Sequence, residues 1–159
     1  MIAYDFLESA GGRIYTIVNE GVVEKILLGE REWQVYQTEK NCPHDKEACR
    51  EVIEQLKEYF QGQRREFSVA LKADGTDFFC RVWAAVAAIP YGEVRSYSEI
   101  AAQLDRPKAC RAVGMANNKN PLPILIPCHR VIGKNGKMVG YKEFGVTFKE
   151  YLLRLEQGE

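Results

Sequence analysis

One short segment of this 159-residue chain constrains its fold more than any other. Residues 120–127 read NPLPILIP, with three prolines around an apolar run. Proline fixes φ at about −65° and removes a backbone donor, so the segment has to be extended and cannot be helical. Its apolar residues predict burial. The next two residues are Cys128 and His129, so a rigid, buried backbone leads directly to a cysteine beside a histidine.

This placement makes Cys128 a candidate nucleophile. The thiolate is the reactive form of cysteine, and a neighbouring base or positive charge generates it. His129 and Arg130 follow directly. A buried cysteine is more often a small core residue, and adjacent side chains often point apart. The rigid segment, the basic residues and the helix pair described below together favour a reactive thiol.

The other cysteines argue for reduced thiols in a cytosolic protein. The chain has an odd number of cysteines and no CxxC pair, so a disulfide scaffold is not expected. Cys42, His44 and Cys49 offer only three zinc ligands, and Cys49 also fits an apolar helix stripe, so we expect no metal. The N-terminus lacks a signal-peptide pattern, and no apolar run approaches a membrane span. We therefore expect a cytoplasmic protein with no membrane contact.

The net charge of zero hides a division along the chain. The totals are 22 basic and 22 acidic residues, which argues against a strongly basic nucleic-acid binder. Residues 1–76 carry ten basic and fourteen acidic side chains, whereas residues 77–159 carry twelve and eight. Such asymmetry suggests a partner for the C-terminal half only, although differences of this size also arise by chance.

The N-terminal half, residues 1–72, predicts a small α/β domain without chemistry of its own. Two β-branched runs at 14–18 and 22–28 flank Asn-Glu-Gly and predict a hairpin. Apolar residues at helical spacing over 49–60 predict a helix. Residues 65–71, REFSVAL, predict a further strand.

The C-terminal half, residues 77–159, predicts helices. Asp77 is the expected cap of a helix with an apolar stripe over 78–89. Ser96 stands three residues before Glu99, a capping box that opens a helix over 97–104.

A turn over 105–107 leads to a second helix over about 108–117, with Pro107 as its first residue. Two short helices joined by a tight turn form a helix-turn-helix pattern. The second helix is rich in Ala and Gly, which let its backbone approach DNA without reading bases. Minor-groove docking with little sequence preference follows as a hypothesis. The alternative is that these small residues only pack the helix pair.

Four sequence motifs resemble one family. SYSEIA, PKACRAVGMANNKNPLPILIPCHRVI, GKMVGY and KEYLLRLE resemble the O6-alkylguanine-DNA alkyltransferases, also called methylated-DNA–protein-cysteine methyltransferases. The resemblance is close from about residue 78 to residue 156. The N-terminal half matches only in size and pattern. The resemblance implies an α+β fold, with an RNase-H-like domain over 1–72 and a winged helix-turn-helix domain over 77–159.

The resemblance also implies a suicide repair reaction without a cofactor. Cys128 would take the alkyl group from guanine O6 in double-stranded DNA, irreversibly and once per molecule. His129 would act as base through a water, and Glu156 would orient that histidine. Tyr97 would donate a proton to the leaving guanine and crowd the phosphate during flipping. Asn120 would support the turn around the cysteine.

Further residues match the family's DNA contacts. Arg111 would fill the gap left by the extruded base. Ala112, Gly114 and Tyr97 would also face DNA, and a guanine pocket would be lined by Asn117, Val131 and Tyr141. The expected partner is double-stranded DNA containing O6-alkylguanine. A monomer is expected, associated with the nucleoid or, in a eukaryote, with the nucleus.

Some points stay open. The segment 142–145 reads KEFG where the family usually has a small residue and a glycine pair, so we expect altered tolerance for bulky alkyl groups. Arg130 fits either a phosphate contact or a turn.

The alternative functions are a non-catalytic alkyltransferase-like lesion binder, which lacks the reactive cysteine, a winged-helix regulator and a cysteine hydrolase. The presence of Cys128 disfavours the first, and the small-residue helix disfavours the second. The third lacks an oxyanion-hole glycine motif beside the cysteine.

Overall fold

The computed structural model describes residues 1–159, which divide into two units, Met1–Lys72 and Ala73–Glu159. The N-terminal unit is built on a three-stranded antiparallel sheet in the order β1-β2-β3. Its strands are β1 (Ile2–Ser9), β2 (Gly12–Asn19) and β3 (Val22–Leu28). The hairpin expected for β2 and β3 is confirmed, while β1 was not predicted.

Local chemistry explains the β2–β3 turn. Glu20 and Gly21 both have positive φ, at 51° and 80°, as a two-residue type I′ hairpin turn requires. This turn twists with the same hand as the strands. Residues 14–18 of β2 are all buried, so both faces of this central strand are covered.

Two helices follow the sheet. They are α1 (Glu30–Lys40), which was not predicted, and α2 (Arg50–Phe60), which was. The apolar stripe of α2 is buried, and Gly62 ends the helix with φ of 74°. The Gly62 amide bonds the Tyr59 carbonyl, and the next amide bonds the Glu58 carbonyl, which together form a Schellman cap.

The strand predicted over 65–71 is wrong. Only Leu71 bridges β3, because Val23 bonds the residues on either side of it: its amide donates to the Ala70 carbonyl and its carbonyl accepts from the Lys72 amide. Upstream, the amide of Ser68 donates to the side chain of Gln55 at 2.9 Å, so its hydrogen bond is satisfied without a sheet neighbour. A polar side chain from α2 thus takes the place of a ladder partner.

The residues considered as zinc ligands have other neighbours. His44 Nε2 lies 2.8 Å from Asp5 Oδ1, and Cys49 Sγ lies 3.8 Å from the Ala3 carbonyl oxygen. Within residues 1–159, no group of three or more His, Cys, Asp or Glu side chains is placed to hold a metal ion.

The C-terminal unit begins with α3 (Asp77–Ala87). Its cap is Thr76 rather than the predicted Asp77, because extended Thr76 accepts a hydrogen bond from the Phe79 amide at 3.1 Å. Asp77 is the first helical residue, where its charge favours the helix dipole. Trp83 of α3 donates to the Ala116 carbonyl at 2.8 Å and so joins this helix to the helix pair.

The helix-turn-helix consists of α4 (Tyr97–Gln103) and α5 (Cys110–Asn118). Both bonds of the Ser96–Glu99 capping box are present at 3.0 Å. The start predicted for α5 is wrong, because Asp105 adopts φ of 58° and Pro107 lies in the turn that follows.

Short elements complete the unit. A parallel pair joins β4 (Arg95–Ser96) to β5 (Val131–Ile132), and the chain ends in α6 (Gly145–Glu156). Single 3-10 turns cover Cys128–Arg130, Lys134–Gly136 and Lys142–Phe144. No helix is long and apolar enough to cross a bilayer.

Candidate active site

The proline-rich segment is buried and forms no helix, as predicted, but the expected extended backbone is wrong. The chain turns at residues 124 and 125, where the Ile126 amide donates to the Leu122 carbonyl at 2.8 Å, and Asn120 holds this turn. This fully buried side chain accepts from the Leu122 amide and donates to the Ile126 carbonyl, both at 2.9 Å. Between them Ile124 adopts φ of 74°, a left-handed conformation that costs an L-residue about 1–2 kcal/mol. The segment ends by placing Cys128 at the start of its 3-10 turn.

Cys128 is only 3% exposed, and polar groups converge on its sulfur. The side chains of Asn120 and Tyr141 and the ammonium groups of Lys142 and Lys149 favour the negative form of this sulfur. Burial raises the pKa of the Cys128 thiol, and these four groups oppose that rise. Without substrate, Cys128 is therefore a thiol, and the four neighbouring groups favour its thiolate form.

His129 and Glu156 form a fully buried pair. His129 Nε2 lies 2.6 Å from Glu156 Oε2, and both side chains are inaccessible to solvent. Burial lowers the pKa of His129 below its ordinary 6.5, as do the charges of Arg130 and Lys149, while Glu156 opposes the shift. A neutral imidazole that donates Nε2–H to the carboxylate has its basic lone pair on Nδ1.

Arg130 holds Glu156 in place. Its Nε donates to Oε1 at 2.8 Å and its Nη2 to Oε2 at 3.0 Å, while Nη1 donates to the Ile89 carbonyl at 2.7 Å. The Gly92 amide lies 3.2 Å from Oε1. The sequence left open whether Arg130 contacts a DNA phosphate or holds a turn. Because Arg130 is buried, it makes internal contacts rather than a phosphate contact.

A small cavity, partly open to solvent, reaches Cys128. Of the three predicted pocket residues, Asn117 and Tyr141 line it. Val131 does not, because its side chain is fully buried and its carbonyl accepts a 2.7 Å bond from Lys149 Nζ. The lining residues are Asn117, Asn118, Cys128, Gly140, Tyr141, Lys142 and Lys149.

Asn117 links Tyr97 to the cysteine. Its Nδ2 donates to the Cys128 carbonyl at 3.2 Å, and its side chain favours the charged form of the Tyr97 hydroxyl. Burial raises the pKa of Tyr97, so this phenol is protonated at neutral pH. Asn117 Oδ1 is buried in the cavity wall and accepts no hydrogen bond from the protein. A buried acceptor of this kind is a ready contact for a ligand N–H group.

The outer face of α5 carries the predicted DNA-contacting residues. Arg111 and Ala112 are exposed, while Gly114 is half-buried and lies against the Tyr97 ring. Met115, one turn after Arg111, is 60% exposed. It was not singled out from the sequence, although an exposed Met on this face is the kind of apolar side chain that enters minor grooves.

No role was predicted for Lys149, and Lys142 was considered only as part of the segment 142–145. Lys149 had a detectable signal, because it occupies the buried stripe of α6 together with Leu152 and Glu156, and a lysine there needs a partner. In the segment 142–145 only Lys142 lines the cavity. Phe144 packs instead on Phe148, with ring centroids 4.9 Å apart.

Comparison with known proteins decides the family. Residues 2–73 match the ribonuclease-like domain of 6-O-methylguanine DNA methyltransferase, and residues 77–158 match its DNA-binding domain. The chain belongs to the 6-O-methylguanine DNA methyltransferase family. It is 44% identical over 156 residues to the methylated-DNA–protein-cysteine methyltransferase of Methanosarcina barkeri, which covers 97% of this chain and 96% of that protein.

Other members of the 6-O-methylguanine DNA methyltransferase family agree. The constitutive methylated-DNA–protein-cysteine methyltransferase of Bacillus subtilis is 42% identical, covering 97% of this chain and 94% of that protein. The O6-methylguanine methyltransferase of Mycobacterium tuberculosis superposes with a TM-score of 0.91 at 42% identity, covering 99% and 94% of the two chains. The same organism's OGT in complex with DNA gives 0.88 at 42% identity, covering 98% and 93%. The expected mixed α+β fold is thus confirmed.

Proposed function

We propose that this protein repairs double-stranded DNA by transferring an alkyl group from guanine O6 to Cys128 Sγ. The observation that carries the proposal is a thiol at an open cavity, followed in the chain by His129, which pairs with the buried Glu156. The product is a thioether, which has no thiol left to react. Each molecule therefore acts once, and no cofactor takes part.

The proposed step is a displacement at carbon. The Cys128 thiol gives its proton to His129 Nδ1 through a bridging water, as the family resemblance implies. Sγ then forms a bond to the alkyl carbon as the C–O6 bond breaks, and the electron pair of that bond stays on the guanine. The guanine takes up one proton from Tyr97, and the proton held on His129 then restores the Tyr97 phenol through water, so the thiol proton ends on the guanine.

The surroundings of Cys128 suit this step. Burial keeps the thiol protonated until a substrate is in place, because it raises the pKa of Cys128. Deprotonation then produces a charged sulfur in surroundings where Asn120, Tyr141, Lys142 and Lys149 favour that charge. Preorganised groups of this kind stabilise charge without reorganising during the reaction.

The DNA contact is proposed at α5. Its outer face exposes Arg111 and Ala112, and Asn117 on its inner side reaches the cavity. A guanine rotated out of the duplex would enter this cavity, where Asn117 Oδ1 accepts a hydrogen bond from a base N–H. Arg111 would occupy the vacated stack and offset part of an unstacking cost of a few kcal/mol.

All proposed reacting groups come from one chain, so we propose that a monomer is active. The C-terminal half is only weakly basic, so binding to DNA is expected to be sensitive to salt and largely independent of sequence. A repair protein of this kind would work on the nucleoid in the cytoplasm, or in a nucleus. The lesion-binding and regulatory alternatives are not favoured, because the thiol and its histidine–glutamate pair are present.

Intact-mass measurement tests the proposal. Wild-type protein is incubated with duplex DNA carrying one O6-methylguanine, beside Cys128→Ser and, as a matched control, Cys80→Ser at an exposed cysteine. Wild type and the Cys80 variant are expected to gain one methyl group per chain, and the Cys128 variant none. The absence of a mass gain on folded wild type would refute the proposed function.

A further inference from the structure

Lys142 is a charged residue at the rim of the cavity that the family resemblance does not explain. The resemblance leads us to expect a small residue after Gly140-Tyr141, and this chain has Lys142 there. The backbone of Lys142 adopts φ of 50°, a left-handed conformation that is uncommon for a side chain of this size. The chain thus places a long cationic side chain at a strained position beside the proposed nucleophile.

The side chain of Lys142 crosses to the helix-turn-helix. Its Nζ donates to the carbonyl of Asn118, the last residue of α5, at 3.0 Å. Both residues line the cavity, on the same rim as Cys128. The ammonium also stabilises the negative form of Cys128 through space. Because Lys142 and Cys128 line the same cavity, the side chain of Lys142 borders the space that a bound substrate would occupy.

The other positively charged side chains near the Cys128 sulfur make different contacts. Lys149 is 1% exposed and its Nζ bonds the Val131 carbonyl, so it is held inside the protein. Arg130 is committed to Glu156. Lys142 is half-buried and held by a single backbone carbonyl at an open rim, so its ammonium can exchange that carbonyl for a ligand acceptor.

Guanine offers acceptors on the edge that carries the alkyl group. Its O6 and N7 accept hydrogen bonds, and lysine is one of their common partners. On the proposed function, Sγ, the alkyl carbon and O6 lie in a line during the displacement. We propose that Lys142 is a catalytic residue of this chain that hydrogen-bonds the guanine O6 as the bond from carbon to O6 breaks.

The electron count of the step is unchanged. The Sγ–C bond forms, the C–O6 bond breaks, and the pair left on O6 is stabilised by the ammonium rather than by proton transfer from it. Tyr97 still supplies the single proton that the guanine takes up. Lys142 thus lowers the barrier by stabilising the negative charge that develops on the leaving group.

The test compares two leaving groups at the same sulfur. Lys142→Met keeps the length of the side chain and removes its charge, while Lys142→Arg keeps the charge. Lys134→Met is the matched control, since it removes an exposed lysine from a neighbouring turn. Each variant reacts with free O6-benzylguanine, which has no phosphate, and with iodoacetamide, whose iodide needs no hydrogen bond. Modification of Cys128 is followed by peptide mass, and saturating rate is separated from binding.

The expected result is selective. Lys142→Met slows the saturated reaction with O6-benzylguanine by roughly 10–100-fold, below the ~10²–10³ seen for enclosed oxyanion donors because this rim is open. Its reaction with iodoacetamide changes less than about threefold, Lys142→Arg recovers most of the rate, and Lys134→Met resembles wild type.

Three results would overturn the inference about Lys142. Equal slowing with both reagents would mean that the ammonium acts only on the sulfur. Unchanged rates would mean that it acts on neither group, and faster reaction with O6-benzylguanine would mean that the side chain is only a steric barrier. Failure of wild type to react with O6-methylguanine DNA would instead refute the proposed function.

Discussion

Replacement of Glu156 by Gln tests whether the buried charge network holds the site together. The two carboxylate oxygens face His129 Nε2 at 2.6 Å, Arg130 at 2.8 and 3.0 Å, and the Gly92 amide at 3.2 Å. Glutamine keeps the shape, removes the negative charge and turns an N–H₂ group toward one of these donors. Arg130 is then left as a buried cation without its anion.

The cost follows from that uncompensated charge. Removal of one member of a buried ion pair destabilises a protein by about 3–5 kcal/mol, a large share of a total near ~5–15 kcal/mol. With a slope of about 2 kcal/mol per molar urea, the unfolding midpoint should fall by roughly 1.5–2.5 M. Cys128 alkylation should also slow by about 10²–10⁴-fold, because His129 loses its orienting partner.

The assay follows the C-terminal unit alone. Each unit contains one of the two tryptophans, so Trp33→Phe leaves Trp83 as the fluorescent reporter of the C-terminal unit. Glu150→Gln is the matched control, since it makes the same change two turns earlier on α6 at a half-buried position. This control should lie within about 0.5 kcal/mol of its parent.

A midpoint for Glu156→Gln equal to that of Glu150→Gln would refute the reasoning. A second variant sharpens the test, because removal of the cation as well should relieve the penalty. Glu156→Gln combined with Arg130→Met should therefore be more stable than Glu156→Gln alone. A double variant that loses as much stability as the two single variants together would contradict the Arg130–Glu156 ion pair.

Three further predictions concern other parts of the C-terminal unit. Alkylation of Cys128 by O6-methylguanine DNA should be lost on acidification, below pH 6.5, because the lowered pKa of His129 keeps the base neutral until then; a pH–rate profile that stays flat down to acid unfolding would contradict this. Arg111→Ala should slow methyl transfer from duplex DNA by roughly tenfold or more while leaving the reaction with the free base O6-benzylguanine unchanged, and single-turnover rates with the two substrates would measure the difference. Gly75→Ala should cost about 1–3 kcal/mol in urea unfolding, because the new Cβ would lie 2.6 Å from the Trp83 ring; unchanged stability would show that the ring moves aside without loss.

Local signals in the sequence predicted several elements well. The Ser96–Glu99 capping box fixed the start of α4, since both of its hydrogen bonds form within four residues. The prolines of 120–127 excluded a helix for the same reason, because proline acts on its own backbone. The stripe of α2 repeated at helical spacing, so its buried face was readable.

Elements that depend on distant partners were missed or misplaced. Helix α1 buries only Tyr36, so it has almost no apolar stripe from which a helix could be predicted. The supposed strand 65–71 has suitable residues, but Gln55 satisfies the Ser68 amide and leaves a single bridge to β3. Neither partner is close in sequence, so propensity alone could not find them.

The residues of the candidate active site also divide into those that local sequence identifies and those that depend on distant contacts. Cys128 and His129 were found from adjacent residues, and Glu156 from the family resemblance. The role of Arg130 depends on its contact with Glu156 of α6, and that of Lys142 depends on its contact with Asn118 of α5. Such contacts join residues 24 or 26 positions apart, which spacing in the sequence does not reveal.

The most direct measurement is the position of the transferred methyl group among the five cysteines of the chain. Cys80 is exposed and Cys110 is half-exposed, so nonspecific alkylation would reach them before the buried Cys128. After reaction with one equivalent of O6-methylguanine duplex, peptide mass mapping should place one methyl group on Cys128 and none elsewhere. A methyl group on Cys80 or Cys110, or continued turnover beyond one equivalent per chain, would contradict the account.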